Sequence, residues 1–286
     1  MNEISNKNVV VFYHAGCPDG FSGAWVARKK FGEQADYTEL HFEELINIDN
    51  KEIYFIDIVP QSKILKDVIA RNKSVVVIDH HVSNEPALSL LKNFKFDISK
   101  SGSALAWGYF FPDKPIPTLL SYVQDVDLWA WKLPSSNEIA SYVDLLNLDF
   151  AAWDKFAADM DDPVIREEII KNGALLNKYK DNKIEDMIKH DAQTVEFEGF
   201  RVLAANSPVL GSLIGNALVK KHPPMGIVWF ESRHEVNVSL RSDRSVDVSL
   251  LAEKYGGGGH KAAAGFRLPL GAEKPWKIIR SDNDEK

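Results

Sequence analysis

The stretch SVVVIDHH at residues 74–81 decides the fold of this chain, together with two similar runs, NVVVFYH at 8–14 and EIYFIDI at 52–58. Each run is rich in β-branched and aromatic residues and remains apolar almost to its end, which is typical of strands covered on both faces. Segments with helical spacing, at 21–31 and 62–72, lie between the runs. The order β-α-β-α-β predicts a parallel sheet with helices on both faces.

The rest of the chain first continues this pattern and then changes it. We expect helices at 101–111 and 118–131, and the spacing over 137–193 indicates two or three more. From residue 196 onward, strand-like and helix-like segments alternate again. We therefore predict an α/β protein with an N-terminal parallel-sheet domain at 1–150, a helical linker at 151–195 and a smaller α/β C-terminal domain at 196–286.

The composition excludes several classes of protein. The 34 Lys and Arg against 41 Asp and Glu give a net charge of −7, which excludes a globally basic nucleic-acid coat. No apolar run reaches the ~18 residues of a membrane span, and the N-terminus lacks the pattern of a secretory signal. The one cysteine, Cys17, cannot form an internal disulfide and fits a reducing compartment. We expect a cytoplasmic protein with no membrane partner.

Acidic and histidine side chains gather where the three strands end: His14, Cys17 and Asp19, then Asp57, then Asp79, His80 and His81, with Asp125 or Asp127 further along. Ligands of parallel sheets collect at these carboxyl ends. Carboxylates packed together repel one another unless cations or protons compensate them, so we predict a metal site. Imidazole beside carboxylate favours manganese, iron, cobalt or zinc over magnesium alone. Two such ions bridged by one carboxylate can activate water beside a phosphoryl oxygen, which indicates phosphoester hydrolysis.

Four motifs give the chain a family resemblance: HAGCPDG at 14–20, FIDI at 55–58, IDHH at 78–81 and GGGGHKAAAGF at 256–266. In this combination the chain resembles the DHH phosphoesterase superfamily with its associated C-terminal domain, in particular its oligoribonuclease-like and exopolyphosphatase-like members. The resemblance extends over nearly the whole chain. It implies two divalent metal ions, with manganese as the first choice and zinc, iron or cobalt as alternatives.

The resemblance also implies roles for the residues at the strand ends. One metal would be held by His14, Cys17 and Asp57, and the other by Asp19, Asp57, His80 and Asp125. His81 would face the phosphate, while Asp79 would orient His80 as a further catalytic group.

Two of these assignments stay open in the sequence. Cys17 stands where the family commonly has an aspartate, so it is either a ligand that shifts the preference toward zinc or iron, or a small buried side chain beside the site. Asp125 and Asp127 point to different sides of a helix, and we favour Asp125. Ser101 and Ser103 either cap a helix or contact phosphate.

The C-terminal glycine run is implied to bind substrate. Gly257, Gly258 and Gly259 would let backbone N–H groups approach an anion, and we expect a helix to begin after the run. His260 would contact the phosphate, and Arg241 would clamp it.

The expected reaction is hydrolysis of phosphodiester bonds in short oligonucleotides or dinucleotides. Phosphatase action on inorganic polyphosphate, pyrophosphate or a nucleoside bisphosphate is the enzymatic alternative. A noncatalytic nucleotide-binding regulatory protein is the alternative of another class. The expected partner is a short nucleic acid or nucleotide phosphoester, and a homodimer is compatible with the sequence.

Overall fold

The computed structural model of the protein describes residues 7–41 and 45–279. It forms two compact units, Met1–Asn177 and Lys178–Lys286. The α/β class predicted from the sequence is confirmed in both units. The separate helical linker at 151–195 stays a prediction, since the division between the units falls within a single long helix.

Unit 1 contains a five-stranded parallel sheet in the order β2-β1-β3-β4-β5. The strands are β1 Val9–His14, β2 Ala35–Leu40, β3 Glu52–Ile56, β4 Ser74–Asp79 and β5 Asn93–Phe96. The three apolar runs form the neighbouring strands β1, β3 and β4. The two edge strands are the ones that the sequence did not reveal.

Helices cover both faces of this sheet, as predicted. The helices of this part of the chain are α1 Pro18–Phe31, α2 Ser62–Arg71, α3 Gly102–Phe110, α4 Thr118–Asp127, α5 Ser136–Val143, α6 Phe150–Asp161 and α7 Pro163–His190. On one face, Trp25 of α1 and Trp153 of α6 are buried with Val11 of the sheet. On the other, Leu65 of α2 is buried with Phe55. Burying a large apolar side chain of this kind contributes about 1.5–3 kcal/mol.

Unit 2 contains a seven-stranded mixed sheet in the order β10-β11-β9-β8-β7-β6-β12, in which the β7–β8 pair is parallel. The elements are β6 Gln193–Phe197, β7 Phe200–Asn206, α8 Gly211–Lys221, β8 Met225–Glu231, β9 Glu235–Ser242, α9 Val248–Glu253, β10 Gly258–His260, β11 Ala263–Pro269 and β12 Trp276–Ile278.

The helix that we expected after the glycine run is wrong, because the run leads into a β-hairpin. Gly258–His260 pairs with β11 in antiparallel register. At Gly257 an added Cβ would lie 2.1 Å from the carbonyl oxygen of Gly265, so this glycine lets two backbones approach. Gly257 and Gly259 therefore permit close packing against β11, whereas an added Cβ at Gly256 or Gly258 would meet no heavy atom within 4 Å.

Among the helices of residues 7–41 and 45–279, none is long and apolar enough to cross a membrane.

Candidate metal centre

Three neighbouring strands of unit 1 end at the same place and carry the candidate site. His14 is the last residue of β1, Asp57 follows β3 directly, and His80 and His81 follow β4. Because β1, β3 and β4 are parallel neighbours, their carboxyl ends lie side by side. The start of α1 adds Cys17 and Asp19.

Asp57 lies at the centre of this cluster. Its side chain is 1 % exposed, with one oxygen 3.3 Å from Nδ1 of His14 and the other 3.2 Å from Nε2 of His80. Nδ1 of His81 lies 3.7 Å from the same oxygen as His80. The backbone of Asp57 adopts φ +62°, a left-handed conformation that a non-glycine residue seldom adopts and that often marks functional sites.

Among the described residues, donor atoms form three overlapping groups, and the largest contains Asp57, Asp79, His80 and His81. Another group contains His14, Cys17 and Asp57, and in it one donor atom of each residue lies within 4.8 Å of the others. The same holds for Asp19, His80 and Asp127. The group of His14, Cys17 and Asp57 has the composition that the resemblance implied. The group of Asp19, His80 and Asp127 differs from the implied set in two ways, because it contains Asp127 in place of Asp125 and does not include Asp57.

The structure places Asp127, and not Asp125, in the cluster. An oxygen of Asp127 lies 3.4 Å from Nε2 of His80. Both oxygens of Asp125 are engaged elsewhere, since they accept hydrogen bonds from the backbone N–H groups of Lys132 and Leu133 and from the hydroxyl of Ser136. Asp125 therefore stabilises the turn after α4, and our preference for it as the clustered aspartate is corrected.

Asp79 is fully buried and holds His81. One of its oxygens lies 2.8 Å from Nδ1 of His81, and the other accepts a hydrogen bond of 2.7 Å from the amide of Asn84. From the sequence we expected Asp79 to orient His80, whereas the structure gives it His81 as a partner. Asn84 was not foreseen, since its distance from the strand end carries no recognisable signal.

Repulsion between like charges and burial raise the pKa values of several acidic groups in the cluster. Burial, reinforced by the charges of Asp19 and Asp57, raises the pKa of Asp127 to about 9. Burial and the charge of Asp57 raise the pKa of Asp19 to about 6. Burial and the same carboxylates also raise the pKa of the Cys17 thiol. Full ionisation of this cluster is therefore costly unless cations lie among the carboxylates.

The histidines relieve part of this repulsion. Burial alone would raise the pKa of Asp57, but contacts with His14 and His80 hold it below its usual range. In the same way, burial raises and the His81 contact lowers the pKa of Asp79, with a net decrease. The charged form is therefore favoured at Asp57 and Asp79, whose pKa values are lowered, and disfavoured at Asp19 and Asp127, whose pKa values are raised.

The residues present fit divalent cations. Oδ2 of Asp19 is buried and accepts no hydrogen bond. Buried carboxylate oxygens are normally paired or coordinate a metal. At Gly102, an added Cβ would lie 2.7 Å from Cβ of Asp57 and 3.0 Å from Oδ2 of Asp19, so the glycine keeps a space beside both carboxylates. A mixed imidazole, carboxylate and thiol donor set suits a first-row transition ion.

Unit 2 contains the residues expected to bind substrate. Arg241 of β9 pairs with Ala263 of β11, which pairs with His260 of β10, so these three side chains share one face of the sheet. The guanidinium of Arg241 donates to the hydroxyl of Ser212 at 2.7 Å and to the carbonyl of Leu240 at 2.9 Å.

Arg241 also has an uncompensated charge. Burial lowers the pKa of its guanidinium, and among the residues that the structure describes no carboxylate lies within 4.0 Å of it. A partly buried cation with fixed geometry and no acidic neighbour is suited to bind an anion from solution.

Comparison with known proteins adds two relatives in sequence. A profile of the DHHA1 domain matches residues 200–277. An uncharacterized protein of Acanthamoeba polyphaga mimivirus is 32% identical over 295 residues, which cover 93% of this chain and 69% of that protein. The oligoribonuclease NrnB of Bacillus subtilis (strain 168) is 22% identical over 295 residues, with 87% of this chain and 70% of that protein covered.

Two solved structures share the fold. The pGpG-specific phosphodiesterase PggH of Vibrio cholerae has a TM-score of 0.50 at 15% identity, over 92% of this chain and 94% of that one. An exopolyphosphatase-related protein of Bacteroides fragilis has a TM-score of 0.53 at 11% identity, over 93% of this chain and 88% of that one.

Proposed function

Because the chain belongs to the DHH phosphoesterase superfamily, we propose that it hydrolyses the phosphodiester bonds of short oligonucleotides or dinucleotides. The observation that carries this proposal is a pair of donor groups, one with imidazole, carboxylate and thiol atoms and the other with imidazole and carboxylate atoms, in each of which the donor atoms lie within 4.8 Å of one another. The name of the Bacillus subtilis relative, an oligoribonuclease, supports the substrate class.

We propose that two of the donor groups bind two divalent cations, manganese first. His14, Cys17 and Asp57 would hold one ion, and Asp19, His80 and Asp127 the other, with Asp57 also in contact with His80. When bound, such ions act as Lewis acids toward a phosphoryl oxygen and lower the pKa of bound water. Zinc or iron would be preferred if the Cys17 sulfur takes part, because sulfur is the softer donor.

The protein's own residues position the phosphate. Asp79 fixes the imidazole ring of His81 through Nδ1, and we assign its other nitrogen, Nε2, to a non-bridging oxygen of the scissile phosphate. In unit 2, we assign Arg241 and His260 to phosphate groups of the substrate, with Gly258 and Gly259 in the same strand as His260 and Gly257 directly before it. Ser212 holds the guanidinium in place for this contact.

A nucleotide substrate is also supported by two tryptophans that follow Asp127. Trp129 and Trp131 lie edge to face at 4.8 Å, both with positive φ, and Trp129 is 40% exposed. Exposed aromatic rings stack on nucleobases, whereas inorganic polyphosphate offers nothing to stack. The single cysteine supports a cytoplasmic location.

Product profiling tests the function. The purified chain is supplied in turn with manganese, zinc, iron and cobalt and given labelled RNAs and DNAs of two to ten nucleotides, beside pyrophosphate, polyphosphate and a nucleoside bisphosphate. We expect mononucleotides to be released fastest from the shortest oligomers. Turnover of polyphosphate or of the bisphosphate alone would support the enzymatic alternative. No turnover with any of the four metals would support the noncatalytic one.

A further inference from the structure

The first turn of α3 lies against the cluster through two residues, Gly102 and Ser103. Ser103 is fully buried. Its backbone N–H donates to Oδ1 of Asp19 at 3.1 Å, and its hydroxyl donates to the same oxygen at 2.5 Å. Ser103 and Asp19 are 84 residues apart in the chain.

These two hydrogen bonds make the oxygens of Asp19 unequal. Oδ1 accepts both of them, while Oδ2 is buried and accepts none. Rotation of the carboxylate about its Cβ–Cγ bond would break both bonds. The two hydrogen bonds to Oδ1 therefore also fix the orientation of Oδ2. Oδ2 also lies on the side of Gly102, where an added Cβ would come within 3.0 Å of it.

The bonds to Asp19 are not needed to begin the helix. Ser101 already caps α3, because its hydroxyl accepts a hydrogen bond from the backbone N–H of Ala104. A cap of this kind contributes about 1 kcal/mol. Ser103 provides two donors to a carboxylate of another helix, α1: a first-turn backbone N–H of α3 and a hydroxyl. Capping explains the bond from the N–H but not the bond from the hydroxyl.

We propose that Ser103 is a positioning residue that holds Asp19 as a one-oxygen donor, with Oδ2 presented to a divalent cation. The inference rests on the proposed metal site and adds to it the residue that orients one donor. Partners that orient a metal ligand through hydrogen bonds typically change metal affinity about 10–100-fold when they are removed.

The test measures Mn²⁺ binding to the full-length chain by isothermal titration, after removal of bound metal with a chelator. Ser103→Ala is expected to weaken Mn²⁺ binding about 10–100-fold, because Oδ1 of Asp19 then loses the shorter of its two hydrogen bonds and keeps only the one from the backbone N–H. Ser103→Thr, which keeps the hydroxyl, is expected to retain affinity near that of the wild type. A Ser103→Ala dissociation constant equal to that of the wild type would overturn the proposal.

The control is another buried serine of unit 1. The Ser22 hydroxyl accepts a hydrogen bond of 2.9 Å from Nε1 of Trp153 and is fully buried. Ser22→Ala is expected to lower the thermal stability without changing Mn²⁺ affinity. If Ser22→Ala weakens Mn²⁺ binding as much as Ser103→Ala does, the effect is one of general stability, and the proposal is wrong.

A double substitution separates this proposal from the metal site itself and from a failure of Ser103→Ala to fold. Asp19→Asn/Ser103→Ala has no carboxylate to leave unpaired. Because Ser103 acts through Asp19, adding Ser103→Ala to Asp19→Asn is expected to change the Mn²⁺ dissociation constant less than about twofold, whereas a further tenfold loss would contradict the proposal. If the wild-type chain itself binds no Mn²⁺, the proposed metal site fails first, and Ser103 has nothing to position.

Discussion

At the scale of single residues, the candidate site depends on which carboxylate oxygens are already engaged. Asp125 and Asp127 have the same side chain and stand two residues apart, yet they have different partners. Asp125 accepts three hydrogen bonds within its own turn, whereas Asp127 lies beside His80. Chemical identity alone could not distinguish them in the sequence, because the difference arises from the path of the chain after α4.

Substitution of Asp125 should therefore affect the stability of the fold, and substitution of Asp127 should affect metal binding. Asp125→Ala is expected to destabilise the fold by about 2–4 kcal/mol, since it leaves buried donors unpaired, and to leave Mn²⁺ affinity unchanged. Asp127→Asn is expected to weaken Mn²⁺ binding at least about tenfold with little loss of stability. Urea unfolding and calorimetric titration of both variants measure the two quantities. The reverse pattern would restore Asp125 as the ligand.

Asp57 belongs to one donor group and lies 3.2 Å from His80 of the other. Asp57→Asn removes the charge between His14 and His80, and we expect it to weaken Mn²⁺ binding at least about 100-fold and to abolish turnover. Asp154→Asn is the matched control, because Asp154 accepts hydrogen bonds from Trp25 and Lys29 outside the cluster. Wild-type turnover by Asp57→Asn would show that the site has been assigned to the wrong residues.

Arg241 is expected to act on substrate affinity. Arg241→Gln removes the charge but keeps hydrogen-bond donors, so we expect KM for a dinucleotide to rise about 10–100-fold with a smaller change in kcat. Arg267→Gln is the control, since Arg267 is exposed on β11 and paired with Glu235. Steady-state kinetics on both variants measure KM and kcat for the dinucleotide. An unchanged KM for Arg241→Gln would remove it from the substrate site.

At the scale of elements, the start of α3 is the part most sensitive to volume. Gly102 lies where any Cβ would contact Asp57 and Asp19, while Gly108 in the same helix has no heavy atom within 4 Å of an added Cβ. Substitution by alanine would therefore create close contacts at Gly102 but not at Gly108. The absence of a side chain at Gly102 is required by the neighbouring Asp57 and Asp19, and not by the helix itself.

We expect Gly102→Ala to displace the two carboxylates and to weaken Mn²⁺ binding at least about tenfold. Gly108→Ala is expected to leave binding unchanged and to stabilise the protein by about 0.5–1 kcal/mol, since alanine is the better helix former. Mn²⁺ titration and thermal melts of both variants measure these effects. If Gly102→Ala bound Mn²⁺ with wild-type affinity, the cluster would be more tolerant than its geometry indicates.

At the scale of the whole molecule, the central strands were predictable and the edges were not. β1, β3 and β4 are buried on both faces, so their sequences are continuous apolar runs. β2 and β5, with sequences ADYTEL and NFKF, lie at the edges and keep exposed polar side chains, which gives them no such signal. The strand β10, which includes Gly258 and Gly259 of the glycine run, was missed because consecutive glycines are also typical of a phosphate-binding loop.

Most of the donor residues of the candidate site were predictable, although Asp127 was the less favoured alternative to Asp125. The residues that hold the donors in place were not predictable. The apolar runs located the strand ends, and five donor residues lie at or just after these ends: His14, Cys17, Asp19, Asp57 and His80. Asn84, Gly102 and Ser103 act through contacts that only the folded chain creates. The positive φ of Asp57 was not predicted either, because aspartate usually adopts negative φ values.

The central claim is that the acidic and histidine cluster of unit 1 binds divalent cations, and the stoichiometry of Mn²⁺ binding tests it most directly. Isothermal titration of the metal-free, full-length chain is expected to show two Mn²⁺ ions bound per chain, with turnover of a dinucleotide appearing as they bind. A chain that binds no Mn²⁺, Zn²⁺, Fe²⁺ or Co²⁺, or that cleaves the dinucleotide equally well in excess chelator, would contradict the account.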